Sequence, residues 1–130
     1  PLICYEVIFP GEVINCKQKR PQWLVNITND GWYLNSSGPY QHLQNAQARA
    51  IEEGIPIVRV ANTGVCAVID PYGRLITHSK YGEATILNAA LPKPLEDSMC
   101  CHPISKNYIF FIMLLMCVIL RFIFYKRRKD

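Results

Sequence analysis

Leu2-Ile3-Cys4-Tyr5-Glu6 is the stretch on which the reading of this chain turns: a short apolar run carries a thiol to a point where the backbone must change direction. Pro1 to Tyr5 reads as a short buried strand, and Glu6 onward as a turn into a loop or short helix. A strand end followed by a sharp turn keeps a side chain rigid yet exposed, as a nucleophile requires. Cysteine is also a common small buried hydrophobe, so position alone leaves both roles open. A reactive thiolate needs a cation or base beside it, and no sequence neighbour of Cys4 provides one.

Working outward, Lys17 to Pro21 reads as a polar, basic surface connection. Trp23 to Thr28 has the β-branched enrichment of a second strand, ended by the Asn29-Asp30-Gly31 turn signal. Residues 29 to 39 read as a loop. The alanine-rich segment Tyr40 to Glu53 predicts a helix, with Gly54 as its stop. Leu43, Ala46 or Gln47, and Ala50 give that helix a narrow apolar face, while His42, Asn45, Arg49 and Glu52 or Glu53 line a polar one. Ile55 to Ala61 reads as an apolar, central strand. Arg59 within it needs a partner if buried.

Val65 to Ile69, Arg74 to Ser79 and Ala84 to Leu91 read as three more strands, separated by turns at Asn62-Thr63-Gly64 and Asp70-Pro71-Tyr72-Gly73. Strand-helix-strand units followed by hairpin-like pairs predict a mixed sheet with helices on one face. A linker follows over 93–107.

Tyr108 to Leu120 is unbroken apolar or aromatic sequence, and Phe122 to Tyr125 extends it to a basic stop at Lys126 to Lys129. A bilayer core takes about 20 apolar residues, so 108–125 is expected to be a transmembrane helix, with Arg121 snorkelling towards the headgroups. The basic tail, 126–130, places the C-terminus in the cytoplasm and the preceding domain on the outer face. The net charge of +4 resides in Arg121 and this tail. Residues 1 to 120 are electrically balanced, which argues against a nucleic-acid partner.

The six cysteines, at 4, 16, 66, 100, 101 and 117, show no metal-ligand spacing, so no metal site is expected. Cys100 or Cys101 could oxidise with another thiol on an outer face, but spacing assigns no pair. Asn26-Ile27-Thr28 and Asn35-Ser36-Ser37 match the glycosylation acceptor pattern, which is common by chance. No signal peptide is visible, and the chain starts at Pro1 within a strand, so it reads as a fragment of a longer protein.

Six motifs occur in order: Ile3-Cys4-Tyr5-Glu6, Asn29-Asp30-Gly31-Trp32-Tyr33, Gly38-Pro39-Tyr40-Gln41-His42, Arg49-Ala50-Ile51-Glu52, Pro56 to Gly64, and Asp70-Pro71-Tyr72-Gly73. The series resembles the C-terminal part of the carbon-nitrogen hydrolase (nitrilase-like) domain, and within that superfamily the bacterial apolipoprotein N-acyltransferases. The resemblance covers 1–92. It implies an α/β (α+β) nitrilase-like αββα sandwich, of which this chain holds the C-terminal half only, followed by one C-terminal transmembrane helix.

The implied function is acyl transfer. A phospholipid acyl donor loads the cysteine as a thioester, and the chain passes to the N-terminal amine of a diacylglyceryl lipoprotein acceptor, without cofactor. The implied location is the bacterial inner membrane, with the domain periplasmic. The family's catalytic set is Glu, Lys and Cys; Cys4 matches the nucleophile, with Tyr5 and Glu6 as supporting residues. The Glu and Lys lie upstream of the cysteine in the family and have no counterpart here, and Lys17 and Lys19 fall on the wrong side of it. By this resemblance the chain alone is inactive unless a separate chain carries the N-terminal half. A membrane-tethered amidase and a degenerate, non-catalytic remnant are the alternatives.

Asn29, Asp30, Trp32 and Asn62 are candidates to line the substrate pocket, the first three chiefly as loop-shaping residues. His42, on a polar helix face, reads as a structural histidine before a catalyst. Glu6 has a second role open to it as a helix cap. Trp23 and Tyr33 read as packing residues.

Overall fold

The computed structural model of the chain describes residues 1–15, 17–96 and 106–127, with side chains in the last stretch described for 111–121. Five strands form one mixed sheet in sequence order: β1 (Leu2–Ile3), β2 (Leu24–Asn29), β3 (Ile57–Asn62), β4 (Ala67–Ile69) and β5 (Leu75–His78). The first three are parallel and the last two add antiparallel, as the strand-helix-strand and hairpin pattern predicts. Helix α1 (Gly38–Glu53) is the crossover from β2 to β3.

Period-two alternation gives the sheet two unlike faces. Leu24, Asn26 and Thr28 of β2 and Ile57, Arg59 and Ala61 of β3 are buried on the side covered by α1. On the other side Ile3, Ile27 and Val60 are in register across three strands, and each is about half exposed. The core joins Leu24, Ile57, Ala67 and Ile69 of the sheet to Leu43, Ala46 and Ala50 of α1.

Helix α1 buries more than its apolar face. Pro39, His42, Arg49 and Glu53 are buried beside Leu43, Ala46 and Ala50, so half of the expected polar face points inward. Partners make this tolerable: Arg49 donates to the Ile8 carbonyl at 3.1 Å and pairs with Glu52 at 2.6 Å. Gly54 ends the helix in the left-handed region, at φ 61, with its N–H returning to Ala50 and Ile51.

Arg20, expected to lie on a plain surface connection, closes that helix end. Its guanidinium donates to the carbonyls of Glu53 at 2.5 Å and Gly54 at 3.2 Å, and to those of Leu95 and Glu96. The Leu95 N–H also meets the Gly54 carbonyl at 2.9 Å. The expected linker of 93–107 therefore begins docked at its N-terminal end, and its remainder over 97–105 lies outside the described residues.

Ala84 to Leu91 is corrected from strand to irregular chain. Its side chains are exposed or half exposed and pair with no neighbouring strand among the described residues; apolar composition alone does not make a strand without an edge to join.

Helix α2 (Lys106–Arg127) stands where the apolar run predicts a helix, with the side chains from Phe111 to Arg121 exposed. Among the described residues no helix is long and apolar enough to cross a membrane. The expected span over 108–125 is thus not carried by the described side chains, and its ends, like residues 128–130 of the tail, lie outside them.

The Asp70–Gly73 turn sets the β4–β5 hairpin. The Asp70 carboxylate accepts from the N–H groups of Tyr72 and Arg74, both at 2.9 Å, and from Arg74 Nε at 2.7 Å. Burial raises its pKa, but these hydrogen bonds outweigh that and hold it below the usual carboxylate range. Asp70→Ala should cost about 1–3 kcal/mol in urea unfolding. Because the folded pKa is depressed, the Asp70 contribution is present above about pH 4 and is lost as pH falls further.

Candidate active site

The carboxyl ends of β1, β2 and β3 lie side by side, the edge at which open α/β sheets present their ligands. β1 delivers Cys4, β2 delivers Asn29 and Asp30, and β3 delivers Asn62 and Thr63. Cys4 opens a short 3₁₀ helix, Cys4–Ile8, and its backbone is left-handed at φ 49. For a residue with a Cβ this conformation costs about 1–2 kcal/mol, so the surroundings must enforce it. The thiol is exposed and free.

Glu6 Oε2 accepts the Ile3 N–H at 2.6 Å, so the carboxylate caps the turn on which Cys4 sits. Tyr5 lies over His42 with ring centroids 5.5 Å apart and near-parallel planes, and meets Tyr33 edge-on at 6.3 Å. Burial and a hydrogen bond with Tyr5 push the Tyr33 phenol up to about 12, so Tyr33 keeps its proton at neutral pH. Tyr33 packs so tightly over Gly38 that any Cβ there would overlap the ring.

Beneath these residues lies a buried ionic network. Asp30 is 0% exposed, Arg59 1% and His42 2%. Arg59 Nη2 donates to Asp30 Oδ2 at 2.6 Å, and Arg59 Nη1 donates to Asn26 Oδ1. A carboxylate can only accept, so His42 Nδ1 carries the proton of its 2.8 Å hydrogen bond to Asp30 Oδ1. Thr28 Oγ1 adds a third donor at 3.3 Å. Burial would raise the Asp30 pKa, but the His42 hydrogen bond and the Arg59 charge outweigh it and hold the carboxyl below its usual range. Burial loosens the Arg59 proton despite Asp30, yet a guanidinium stays charged.

The expected site residues thus divide into two layers. Cys4, Tyr5, Glu6, Asn29, Trp32 and Asn62 reach solvent, Trp32 at 83% exposure. Asn29 Oδ1 accepts from the Gly31 N–H at 3.1 Å and from Asn62 Nδ2 at 3.0 Å, which ties two of the pocket candidates together. Asn62 also lines a cavity of about 320 Å³ with Thr63, Cys66 and Glu83. Asp30 lies in the lower layer, with no exposed surface to offer a ligand. His42 sits there too, as the structural reading of it expects.

Asn26 is the residue that sequence reasoning passed over. Its signal is an amide at the inward phase of β2, in register with Arg59 of β3. Among the described residues no cluster of His, Cys, Asp and Glu could hold a metal ion.

The sequence profile of the carbon-nitrogen hydrolase family matches residues 1–98. The chain belongs to the carbon-nitrogen hydrolase family. Curated relatives named apolipoprotein N-acyltransferase share the sequence further. The one from Bradyrhizobium diazoefficiens is 60% identical over 99 residues, 76% of this chain and 18% of the relative. That from Rhodopseudomonas palustris is 54% identical over the same shares. The one from Agrobacterium fabrum is 44% identical along 100% of this chain, which is 25% of the relative. The chain therefore spans about a fifth to a quarter of the relatives it matches. Within the family the mixed sheet and its crossover helix are consistent with a nitrilase-like α/β fold.

Proposed function

We propose that the chain is the nucleophile-bearing, C-terminal part of a membrane-associated apolipoprotein N-acyltransferase, with Cys4 as the acyl carrier. The observation that carries this reading is an exposed thiol in a left-handed backbone at the carboxyl end of a parallel strand, in a chain whose relatives bear that name. The Cys4 sulfur attacks the acyl ester carbon of a phospholipid, and the lysophospholipid leaves with the thiol proton. The N-terminal amine of a diacylglyceryl lipoprotein then attacks the thioester. An amide forms, the carbon–sulfur bond breaks, and the thiol is restored.

A lipid donor fits the exposed apolar side chains that follow β2. Trp32 and Leu34 flank Tyr33, which touches Tyr5 next to the nucleophile. The exposed Phe111, Leu114 and Leu115 of α2 suit contact with lipid and support a membrane anchor over 108–125. In this reading the domain is periplasmic at the bacterial inner membrane and the C-terminus cytoplasmic. The base and the oxyanion donor come from chain outside these residues, and the reaction uses no metal and no cofactor.

The test is to reconstitute the chain in vesicles with a polypeptide carrying the N-terminal half, together with a phospholipid bearing an alkyne-tagged acyl group. A hydroxylamine-labile adduct on the Cys4 peptide is expected, absent in Cys4→Ser. Labelling at Cys66 instead overturns the assignment. Hydrolysis of a fatty amide supplied in place of the phospholipid, without transfer to a lipoprotein amine, would favour a hydrolytic amidase, which the family match also accommodates.

A further inference from the structure

Something must hold Cys4 at φ 49, and the structure gives it two restraints. On one flank Tyr5 is stacked on the buried His42 ring. On the other, Asn26 Nδ2 donates to the Leu2 carbonyl at 3.2 Å and to the Cys4 carbonyl at 3.4 Å. A single amide thus bridges the last carbonyls before and after the point where β1 ends. An amide that could rotate would lose this grip. Asn26 cannot, since its Oδ1 is held by Arg59, which Asp30 holds in turn, and Asp30 is fixed by His42 and Thr28.

We propose that Asn26, locked in orientation by Arg59 and Asp30, is the positioning residue that keeps Cys4 in its left-handed conformation. Asn26 is fully buried, so it acts through the Cys4 backbone and not on a substrate. The conformational part of this inference stands on geometry alone; its catalytic consequence rests on Cys4 being the acyl carrier.

The discriminating change is Asn26→Asp. It keeps the size and the acceptor facing Arg59 but turns the donor facing two carbonyls into a second acceptor. Asn26→Leu, of similar size and with no donor, serves if the aspartate variant does not fold.

Position 4 reports the backbone. Glycine accepts a positive φ and alanine does not, so the Cys4→Gly chain should melt about 5 °C above Cys4→Ala. With Asn26→Asp the gap should shrink below about 2 °C, because nothing then enforces the left-handed turn. Acyl loading of Cys4 gives a second readout: its maximal rate should fall about tenfold with the half-saturating phospholipid concentration unchanged. An undiminished melting gap overturns the proposal, as does a loss that appears only in half-saturation. A gap that collapses while Cys4 takes up no acyl group even with the N-terminal half supplied supports the positioning role and overturns the acyltransferase reading.

Discussion

Arg59→Leu is expected to lower stability by about 3–5 kcal/mol in denaturant titration, because it leaves the Asp30 carboxylate buried without its cation. The side chains concerned have almost no solvent exposure. Water cannot replace the 2.6 Å contact, and burying an unpaired carboxylate is costly. Leucine restores part of the apolar volume, so the loss reports charge more than packing.

The pH dependence gives the sign. In the parent chain the folded Asp30 pKa is depressed, so its contribution is present above about pH 4 and disappears as pH falls through the folded value. Without Arg59, burial prevails and raises that pKa above its unfolded value, so the variant should gain stability as pH falls towards 4. A variant whose stability has the same acid slope as the parent would show that Asp30 does not carry its charge against Arg59.

Gly64→Ala should cost about 3 kcal/mol in the same titration, most of it from overpacking against a group that cannot move. An added Cβ would overlap Asp30 Oδ2, with Ala61 Cβ at 2.8 Å and Asp30 Cβ at 2.9 Å. Asp30 is pinned by three side chains, so the overlap is relieved only by breaking the network or shifting the β3–β4 turn. Gly82→Ala is the comparison: its Cβ would meet nothing within 4 Å and bears only the strain of φ 70, about 1–2 kcal/mol. Equal losses at the two glycines would remove Asp30 from the explanation.

Local signals carried most of the fold. Glycine at 54, the Asn29-Asp30-Gly31 turn and the β-branched runs of β2 and β3 each act within a few residues of themselves, and each was legible. The place of Cys4 just past β1 was legible because a strand end is a local event. The Asn29-Asp30-Gly31 turn signal gave no sign that the Asp30 side chain is fully buried. Its burial depends on Arg59 and His42, which lie 29 and 12 residues away. Arg20 was unreadable for the same reason, since its carbonyl partners lie 33 to 76 residues distant. Asn26 needed the strand register before its amide had a meaning.

The clasp that Arg20 makes on Leu95 and Glu96 also fixes where the chain leaves the domain relative to Cys4. It grips the C-terminal end of α1, and a crossover helix runs antiparallel to its strands, so this point lies at the sheet edge opposite Cys4. A six-residue strand is about 20 Å long, so that distance separates the chain's departure point from the thiol. Arg20→Ala would release Leu95 and Glu96 from the end of α1, moving the chain's departure point without any change at Cys4 itself.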